Sequence, residues 1–200
     1  MKKIEKLKGR IYGLDDESFT ATNCLELYHE GIELYSQLEF LQKEIDEEEN
    51  NIKKINLKIK FLKLSKNFNK VWTEWKKIER SYNASIPASA KVPLSTIFPH
   101  QLANIYISRH AKIGEGCIIF QGVTIGSNTL SDSKNHGSPT IGNNVYIGSG
   151  ATIVGNIVIG DNVRIGANTT VTKSVESDYT CVSQPSVLIK HIGPKRNKQW

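Results

Sequence analysis

Residues 141–171 read IGNNVYIGSGATIVGNIVIGDNVRIGANTTV, and an aliphatic residue returns at every sixth position: Ile141, Ile147, Ile153, Ile159, Ile165 and Val171. A small residue, usually glycine, follows most of them, and Asn and Asp occupy the gaps. A fixed short period indicates a repeat architecture. Six is a multiple of the two-residue period of a strand and does not match the 3.6-residue period of a helix. β-branched residues favour extended backbone, whereas Gly and Asn accept the tight turns between short strands.

The simplest structure with this repeat is a parallel β-helix with three flat faces. Each hexad supplies one short strand and one corner, three hexads complete a coil, and each coil pairs with the next. The aliphatic residue of each hexad points into a narrow prism. An ordinary sandwich with a chance period is the alternative, and six residues in phase disfavour it. The repeat of inward residues extends upstream through Ile86, Val92, Phe98, Ile107, Ile113, Ile119 and Ile125.

Two interruptions of the repeat each contain a histidine. The step from Phe98 to Ile107 is nine residues, so three extra residues follow just after His100. The step from Ile125 to Ile141 is sixteen residues, which predicts a protruding loop that includes His136. Long loops on a rigid repeat scaffold are where functional residues concentrate. His100 and His136 are therefore candidate functional residues.

The N-terminal part of the chain has a helical pattern instead. Residues 1–22 form a short lead-in, and residues 25–82 contain no proline. An acidic run over residues 44–49 precedes a basic stretch over residues 53–63. Such separated charges either set the register between neighbouring helices or belong to a solvated surface. We expect a long helix or a helical hairpin used for oligomerisation, then a second helical segment around residues 71–78 with Trp72 and Trp75 as packing anchors. A heptad seam with one interruption at Glu48 supports this: Leu38, Leu41, Ile45, Ile52, Ile55, Ile59 and Leu62.

Composition narrows the class of protein. The 200 residues are 38% hydrophobic, enough for a core, and no apolar run approaches the roughly 18 residues of a membrane span. The basic start MKKIEKLKGR leads into no apolar segment, which argues against a signal peptide. Three cysteines without metal-like spacing predict a reducing, cytoplasmic location. The net charge of +6 is consistent with an anionic ligand or with a Lys-rich solvated surface. The positive residues are scattered along the chain, which disfavours nucleic-acid binding.

The chain resembles a known family in residues 85–189. The motifs that carry the resemblance are IIFQGVTIG (118–126), the hexads from SPTIGNNVYIG to VTKSV (138–175) and VSQPSVLI (182–189). They are similar to those of the left-handed β-helix acetyltransferases, in particular the serine O-acetyltransferase type and the related O-acetyltransferases of capsule and surface polysaccharides. The resemblance implies a left-handed parallel β-helix over residues 84–189. The sequence pattern predicts a helical, partly coiled-coil oligomerisation region before it (1–83) and a basic tail after it (190–200).

The resemblance also implies a mechanism. The segment SIPASAKVPLSTIFPH (85–100) runs without a gap against the one that ends in the family's catalytic histidine, which gives that role to His100. Such a histidine takes the proton of the acceptor hydroxyl, and the oxygen attacks the thioester of acetyl-CoA. An imidazole that titrates near neutral pH suits both the base step and the return of the proton. His136 is a candidate second active-site group.

In this family the coenzyme lies in the groove between two protomers of a trimer. The resemblance therefore implies a homotrimer, with possible further contacts through the helices, acetyl-CoA as co-substrate and no metal. Small residues in the groove let the pantetheine arm lie against backbone, although a β-helix needs small corner residues in any case. The cofactor-binding positions that match are Gly126, Ser127, Ser149 and Ala167, with Arg164 and Lys173 near the phosphates.

Three departures from the serine-specific pattern bear on the acceptor. Ser85 stands where the family has an acidic residue that orients the histidine, and Pro99 stands where serine-specific enzymes have Asp. Those enzymes also have Arg before a second histidine followed directly by Pro, whereas here Asn135 precedes His136, and two residues intervene before Pro139. A zwitterion needs opposite charges at fixed positions. The departures favour the hydroxyl of a surface polysaccharide or its sugar precursor, with an acidic glycan suited to the basic chain.

Alternative functions remain open at this point. The first is serine O-acetylation in cysteine synthesis. The second is a zinc-dependent carbonic anhydrase on the same fold, for which His100, His110 and His136 supply the number of ligands but not the usual close pair. The third is a non-catalytic scaffold that recruits partners through the coiled coil.

Overall fold

The computed structural model of the chain describes residues 21–184, and within them two helices precede eleven short strands. Helix α1 (Ala21–Glu47) and helix α2 (Asn51–Ser81) form an antiparallel hairpin. The Oδ1 of Asn50 accepts hydrogen bonds from the backbone N–H groups of Ile52 and Lys53, which caps the start of α2. Neither helix in residues 21–184 has the length and apolar content needed to span a bilayer.

The hairpin differs from the expected pattern in two ways. The predicted separate segment around residues 71–78 is wrong, because α2 runs unbroken through it. The turn at residues 48–50 divides the heptad seam between the two helices. In the first half of the seam, on α1, Leu41 and Ile45 are buried. Its second half faces away from α1, and the exposed fractions are 74%, 57%, 47% and 61% for Ile52, Ile55, Ile59 and Leu62. Oligomerisation through this seam stays a prediction.

The strands form a three-sided parallel β-helix. They are β1 (Tyr106–Ile107), β2 (Lys112–Ile113), β3 (Ile118–Ile119), β4 (Thr124–Gly126), β5 (Thr140–Ile141), β6 (Tyr146–Ile147), β7 (Thr152–Val154), β8 (Val158–Ile159), β9 (Arg164–Ile165), β10 (Thr170–Val171) and β11 (Thr180–Cys181). Face A contains β1, β4, β7 and β10, face B contains β2, β5 and β8, and face C contains β3, β6, β9 and β11. All pairings are parallel and in register, one coil above the next.

The inward residues are the ones that the six-residue repeat predicts. On face A, Ile107 lies over Ile125, which lies over Ile153. On face C, Ile119, Ile147 and Ile165 form the same kind of column, and all three are fully buried. Single bridges at residues 85, 91 and 97 add a first coil above β1, β2 and β3. The core is therefore a continuous stack of aliphatic side chains along the axis.

The helical hairpin covers the first coil through side chains that bond to its backbone. The indole Nε1 of Trp75 donates to the carbonyl of Ile86 at 3.3 Å, and the buried carboxylate of Glu79 accepts from the N–H of the same residue. The hydroxyl of Tyr28 donates to the carbonyls of Pro87 and Ala90, and burial raises the pKa of this phenol. The exposed edge that a solenoid has at its first coil is thereby capped.

We predict that Ile153→Ala lowers the free energy of unfolding by about 2–5 kcal/mol, because it removes a fully buried side chain from the column on face A. The matched control is Val158→Ala in the next strand, whose side chain points to solvent and whose loss changes stability by about 0.5 kcal/mol or less. Urea unfolding followed by circular dichroism measures both. Equal effects of the two substitutions would contradict the assigned inward phase.

The environment of His29 on α1 should make the free energy of unfolding depend on pH. Its Nε2 is buried without a hydrogen-bond partner, and burial lowers the pKa of the imidazole, although a hydrogen bond to the backbone of Val92 and the charge of Glu115 oppose this. The unfolded chain then binds a proton near pH 6.5 that the folded chain binds only at lower pH, so stability falls as pH drops through that window.

We therefore expect His29→Gln to reduce the loss of stability between about pH 7.5 and about pH 5.5. His110→Gln, at an exposed histidine, is the control and should leave the pH dependence of the wild type in place. Unfolding by urea at the two pH values gives the comparison. A pH dependence unchanged by His29→Gln would show that another group is responsible.

Candidate functional site

The two interruptions of the repeat lie at different corners of the prism. His100 follows Ile97 on face C and precedes β1 on face A, so it belongs to the C-to-A corner, here called the His100 corner. The loop with His136 lies between β4 on face A and β5 on face B, here called the loop corner. Within one chain, face A separates the two histidines, and the structure does not bring them together.

The His100 corner is held rigidly by the residues after the histidine. Gln101 adopts a φ of 55°, and its N–H donates to the carbonyl of Phe98 at 3.0 Å, which closes a tight turn. Leu102 is fully buried and anchors the extra residues in the core. The carbonyl of Ala103 accepts from the N–H of Gly122 on the next coil at 2.9 Å. The imidazole of His100 itself is exposed on the outside of this fixed corner.

Two aromatic rings lie next to His100 on the following coils. The ring centroids of His100 and Phe120 are 5.8 Å apart, and those of Phe120 and Tyr146 are 5.1 Å apart with planes inclined at 53°. Neither aromatic was predicted to lie in the site. A signal was present, because Phe120 follows the inward Ile119 at a position where six of the thirteen hexads have glycine and no other has an aromatic residue.

The loop corner is also ordered by hydrogen bonds. Asn128 and Gly137 pair as a two-bond bridge, and the hydroxyls of Ser127 and Ser138 are 2.6 Å apart. The side-chain amide of Asn135 donates to the carbonyl of Thr172 at 3.2 Å, two coils further along. The loop therefore lies against the rod, and His136 is exposed at its surface.

The predicted cofactor-binding residues divide between the same two corners. Gly126 and Ser127 begin the loop, and Lys173 lies at the loop corner on a later coil. Ser149 and Ala167 belong to the His100 corner, on the coils that follow Phe120. Arg164 is exposed on face C, in register with Tyr146.

Beyond Phe120 and Gln121, the His100 corner continues on later coils through small residues that stack closely, among them Ser149 and Ala167. The N–H of Gly150 donates to the carbonyl of Gln121, and the N–H of Asn168 donates to the carbonyl of Ser149. A Cβ added at Gly148 would lie 2.7 Å from the backbone nitrogen of Ala167, so glycine is required there for coil packing. This column offers a narrow, largely backbone surface that leads away from the histidine.

The acidic partner of the catalytic histidine in the family pattern has no counterpart at Ser85. Ser85 lies in the first coil of face A, where its backbone hydrogen-bonds to Ile105 and Ile107 of the next coil. Its side chain carries no charge. The orientation of His100 therefore depends on the rigid turn described above and on contact with Phe120.

The three histidines of the zinc alternative are divided in the same way. His110 and His136 lie at the loop corner, and His100 lies at the other. In the described part of the chain, no three His, Cys, Asp or Glu side chains are grouped so that they could hold a metal ion. One chain by itself does not assemble the three-histidine set.

Comparison with known proteins connects this geometry to a family. Residues 138–173 match the family described as bacterial transferase hexapeptide (six repeats). A serine acetyltransferase from Synechococcus elongatus is 43% identical over 97 residues, which are 48% of this chain and 39% of that protein. A serine acetyltransferase from Staphylococcus aureus is 38% identical over 115 residues, 58% of this chain and 53% of that protein. The chain thus spans about half or less of the length of these relatives.

Similarity in fold extends to the helices. The crystal structure of the Neisseria gonorrhoeae serine acetyltransferase in complex with serine superposes with a TM-score of 0.53 at 23% identity, and the match covers 92% of this chain and 68% of that one. At this identity the likeness concerns the fold, which is a helical region followed by a left-handed β-helix. Residues 138–173 thus carry the hexapeptide repeat of bacterial transferases, and the chain is similar in fold to a serine acetyltransferase with a left-handed β-helix.

Proposed function

We propose that this protein is an acetyl-CoA-dependent O-acetyltransferase in which His100 is the general base. The observation that carries the proposal is the position of His100, exposed on a rigid corner that continues through Ser149 and Ala167, in a chain with the hexapeptide repeat of bacterial transferases. A base must lie within hydrogen-bond reach of the proton it removes, and a fixed corner supplies that positioning.

The proposed reaction moves one acetyl group and one proton. The neutral imidazole accepts the proton of the acceptor hydroxyl, and the oxygen forms a bond to the carbonyl carbon of the acetyl thioester. The tetrahedral intermediate collapses as the carbon–sulfur bond breaks, and the imidazolium returns its proton to the leaving thiolate. The products are the O-acetyl ester and free CoA, and no acyl-enzyme is needed.

The surface below His100 fits the donor. An extended pantetheine arm needs a groove without bulky side chains, which Ser149 and Ala167 on successive coils leave open. The exposed cations Arg164 and Lys173 suit the phosphates of the coenzyme. Because the donor is a metabolite of the cytoplasm, we propose that the protein works there.

We further propose that the active site is completed by a second copy in a homotrimer. His100 with Ser149 and Ala167 lies at one corner, whereas His136 with Ser127 and Lys173 lies at another. If each protomer sets its loop corner against the His100 corner of the next, three equivalent composite sites close a ring.

Serine is the first acceptor to test. The two relatives described above, 43% and 38% identical over the β-helix, are serine acetyltransferases. The matches that support serine cover 39% and 53% of the lengths of those relatives.

A sugar hydroxyl is the second acceptor candidate, and the residues around the base favour it. Pro99 precedes His100 where serine-specific enzymes have Asp, and the loop has Asn135 before His136 where they have Arg. Charged partners of a buried zwitterion contribute several kcal/mol, and their loss is enough to change the class of acceptor. Capsular or surface polysaccharide and its acidic sugar precursors belong to this class. The ratio of kcat/KM for serine to that for methyl galactosides and sialic acids decides between the two.

We predict that His100→Ala lowers kcat by a factor of about 10²–10⁴, because it removes the general base. The measurement is release of CoA thiol from acetyl-CoA, dependent on the acceptor. His110→Ala, at an exposed histidine on the other corner, is the control and keeps wild-type activity. A His100→Ala variant as active as the control would eliminate the proposed mechanism.

Mixing two inactive variants tests the composite site. His100→Ala and His136→Ala each lack one half of it, and we expect both to be inactive alone. When equal amounts are unfolded and refolded together, about one quarter of the sites in randomly mixed trimers unite an intact His100 with an intact His136. Recovery to about that level supports a site shared between copies. No recovery, or full activity of His136→Ala alone, contradicts it.

A further inference from the structure

We propose that Phe120 and Tyr146 form an aromatic wall that binds the ring of a sugar acceptor beside His100. The inference rests on the proposed acetyl transfer and deepens it, because it names specificity-determining residues and chooses the sugar over serine. Neither side chain was predicted from the sequence to act in the site.

The distances put the wall within reach of any acceptor at the base. A hydroxyl that gives its proton to His100 lies about 3 Å from an imidazole nitrogen. The Phe120 ring centroid is 5.8 Å from that of the imidazole, and Tyr146 continues the surface at 5.1 Å from Phe120. An acceptor whose hydroxyl bonds to the imidazole on the side of Phe120 therefore has its neighbouring atoms within reach of the wall.

The rings remain available at the surface. Tyr146 is 39% exposed and Phe120 is partly exposed, although the inward neighbours Ile147 and Ile119 are fully buried. The core does not need these two side chains, since the interior column is complete without them. An exposed aromatic pair beside a base is an apolar platform with a polar edge, at the phenol of Tyr146.

The chemistry of the wall distinguishes the two acceptors. The face of a pyranose ring presents C–H groups that pack on an aromatic ring, and its hydroxyls remain at the edges for hydrogen bonding. Serine has one CH₂ group, between its hydroxyl and the Cα that carries both charged groups, so it offers little C–H surface, and placing its carboxylate against Phe120 and Tyr146 removes water without a replacement partner. The wall therefore favours the larger, uncharged ring face.

The experiment measures kcat/KM for methyl galactosides, sialic acid methyl glycosides and serine in four variants: Phe120→Leu, Tyr146→Leu, Tyr146→Phe and Phe40→Leu. Leucine keeps apolar volume and removes the ring. Phe40 is the control, because it is 63% exposed and lies on helix α1, outside both corners of the β-helix. Light scattering records the oligomeric mass of each variant.

We expect Phe120→Leu and Tyr146→Leu to lower kcat/KM for the sugar about tenfold, with the KM for acetyl-CoA unchanged. Tyr146→Phe keeps most of the activity because it keeps the ring, and Phe40→Leu behaves as wild type. An equal loss with serine and sugar, or no loss at all, would overturn the wall as a specificity determinant. A drop in oligomeric mass in the Leu variants would show instead that these rings contact a second copy.

A binding measurement separates this inference from the proposed function. Saturation-transfer NMR with a methyl glycoside detects the sugar on wild type without any turnover. If the wild type binds the sugar, Phe120→Leu abolishes that binding and no thiol is released, the aromatic wall is supported and the proposed acetyl transfer is contradicted. If the protein acetylates serine and binds no sugar, the acetyl transfer is supported and the aromatic wall is contradicted.

Discussion

The stacking of aliphatic side chains from coil to coil is the interaction on which the structure depends. Each coil has only a few strand residues per face, too few to be stable alone. Burial of one inward residue per hexad, at about 25 cal/mol per Å² of apolar surface, acts together with the parallel backbone pairs above and below. The phase of the repeat is thereby fixed, because a shift by one residue would turn Ile147 or Ile165 outward to water.

This constraint decides where the chain is free to vary. Extra residues cannot enter a strand without breaking the column, so they leave at the corners, as they do after Phe98 and after Gly126. The corners are exposed yet held by the coils on either side. The ends of the rod are the other weak points, and the hairpin covers the first coil through Trp75 and Glu79 bonded to its backbone.

The sequence predicted the β-helix closely, because a six-residue period with aliphatic residues in phase has few other solutions. It also predicted a helical region followed by a left-handed β-helix. It did not predict that α2 is continuous, since the spacing of Trp72 and Trp75 departs from the heptad although the helix continues. It could have assigned His100 and His136 to separate corners, because counting hexads in threes places one after face C and the other after face A.

The candidate site was harder to predict for a physical reason. A repeat fixes which side chains point inward but says nothing about which outward side chains meet across coils. Phe120 and Tyr146 are 26 positions apart in the chain, and only coil stacking brings their rings to 5.1 Å. The cofactor positions were inferred one at a time from resemblance, which carries no information on the corner to which each belongs.

The His100 corner suggests how the proposed base would be oriented without the carboxylate that the family pattern has. A carboxylate orients the imidazole and stabilises its charged form. With Ser85 in that place, orientation must come from the backbone: Pro99 fixes its own φ, Leu102 is buried, and Ala103 is bonded to the next coil. In the proposed enzyme these three restraints reduce the entropy that would be lost on ordering the base. Pro99 also puts no charge beside His100, whereas the Asp that serine-specific enzymes have there would suit an acceptor that carries a positive charge.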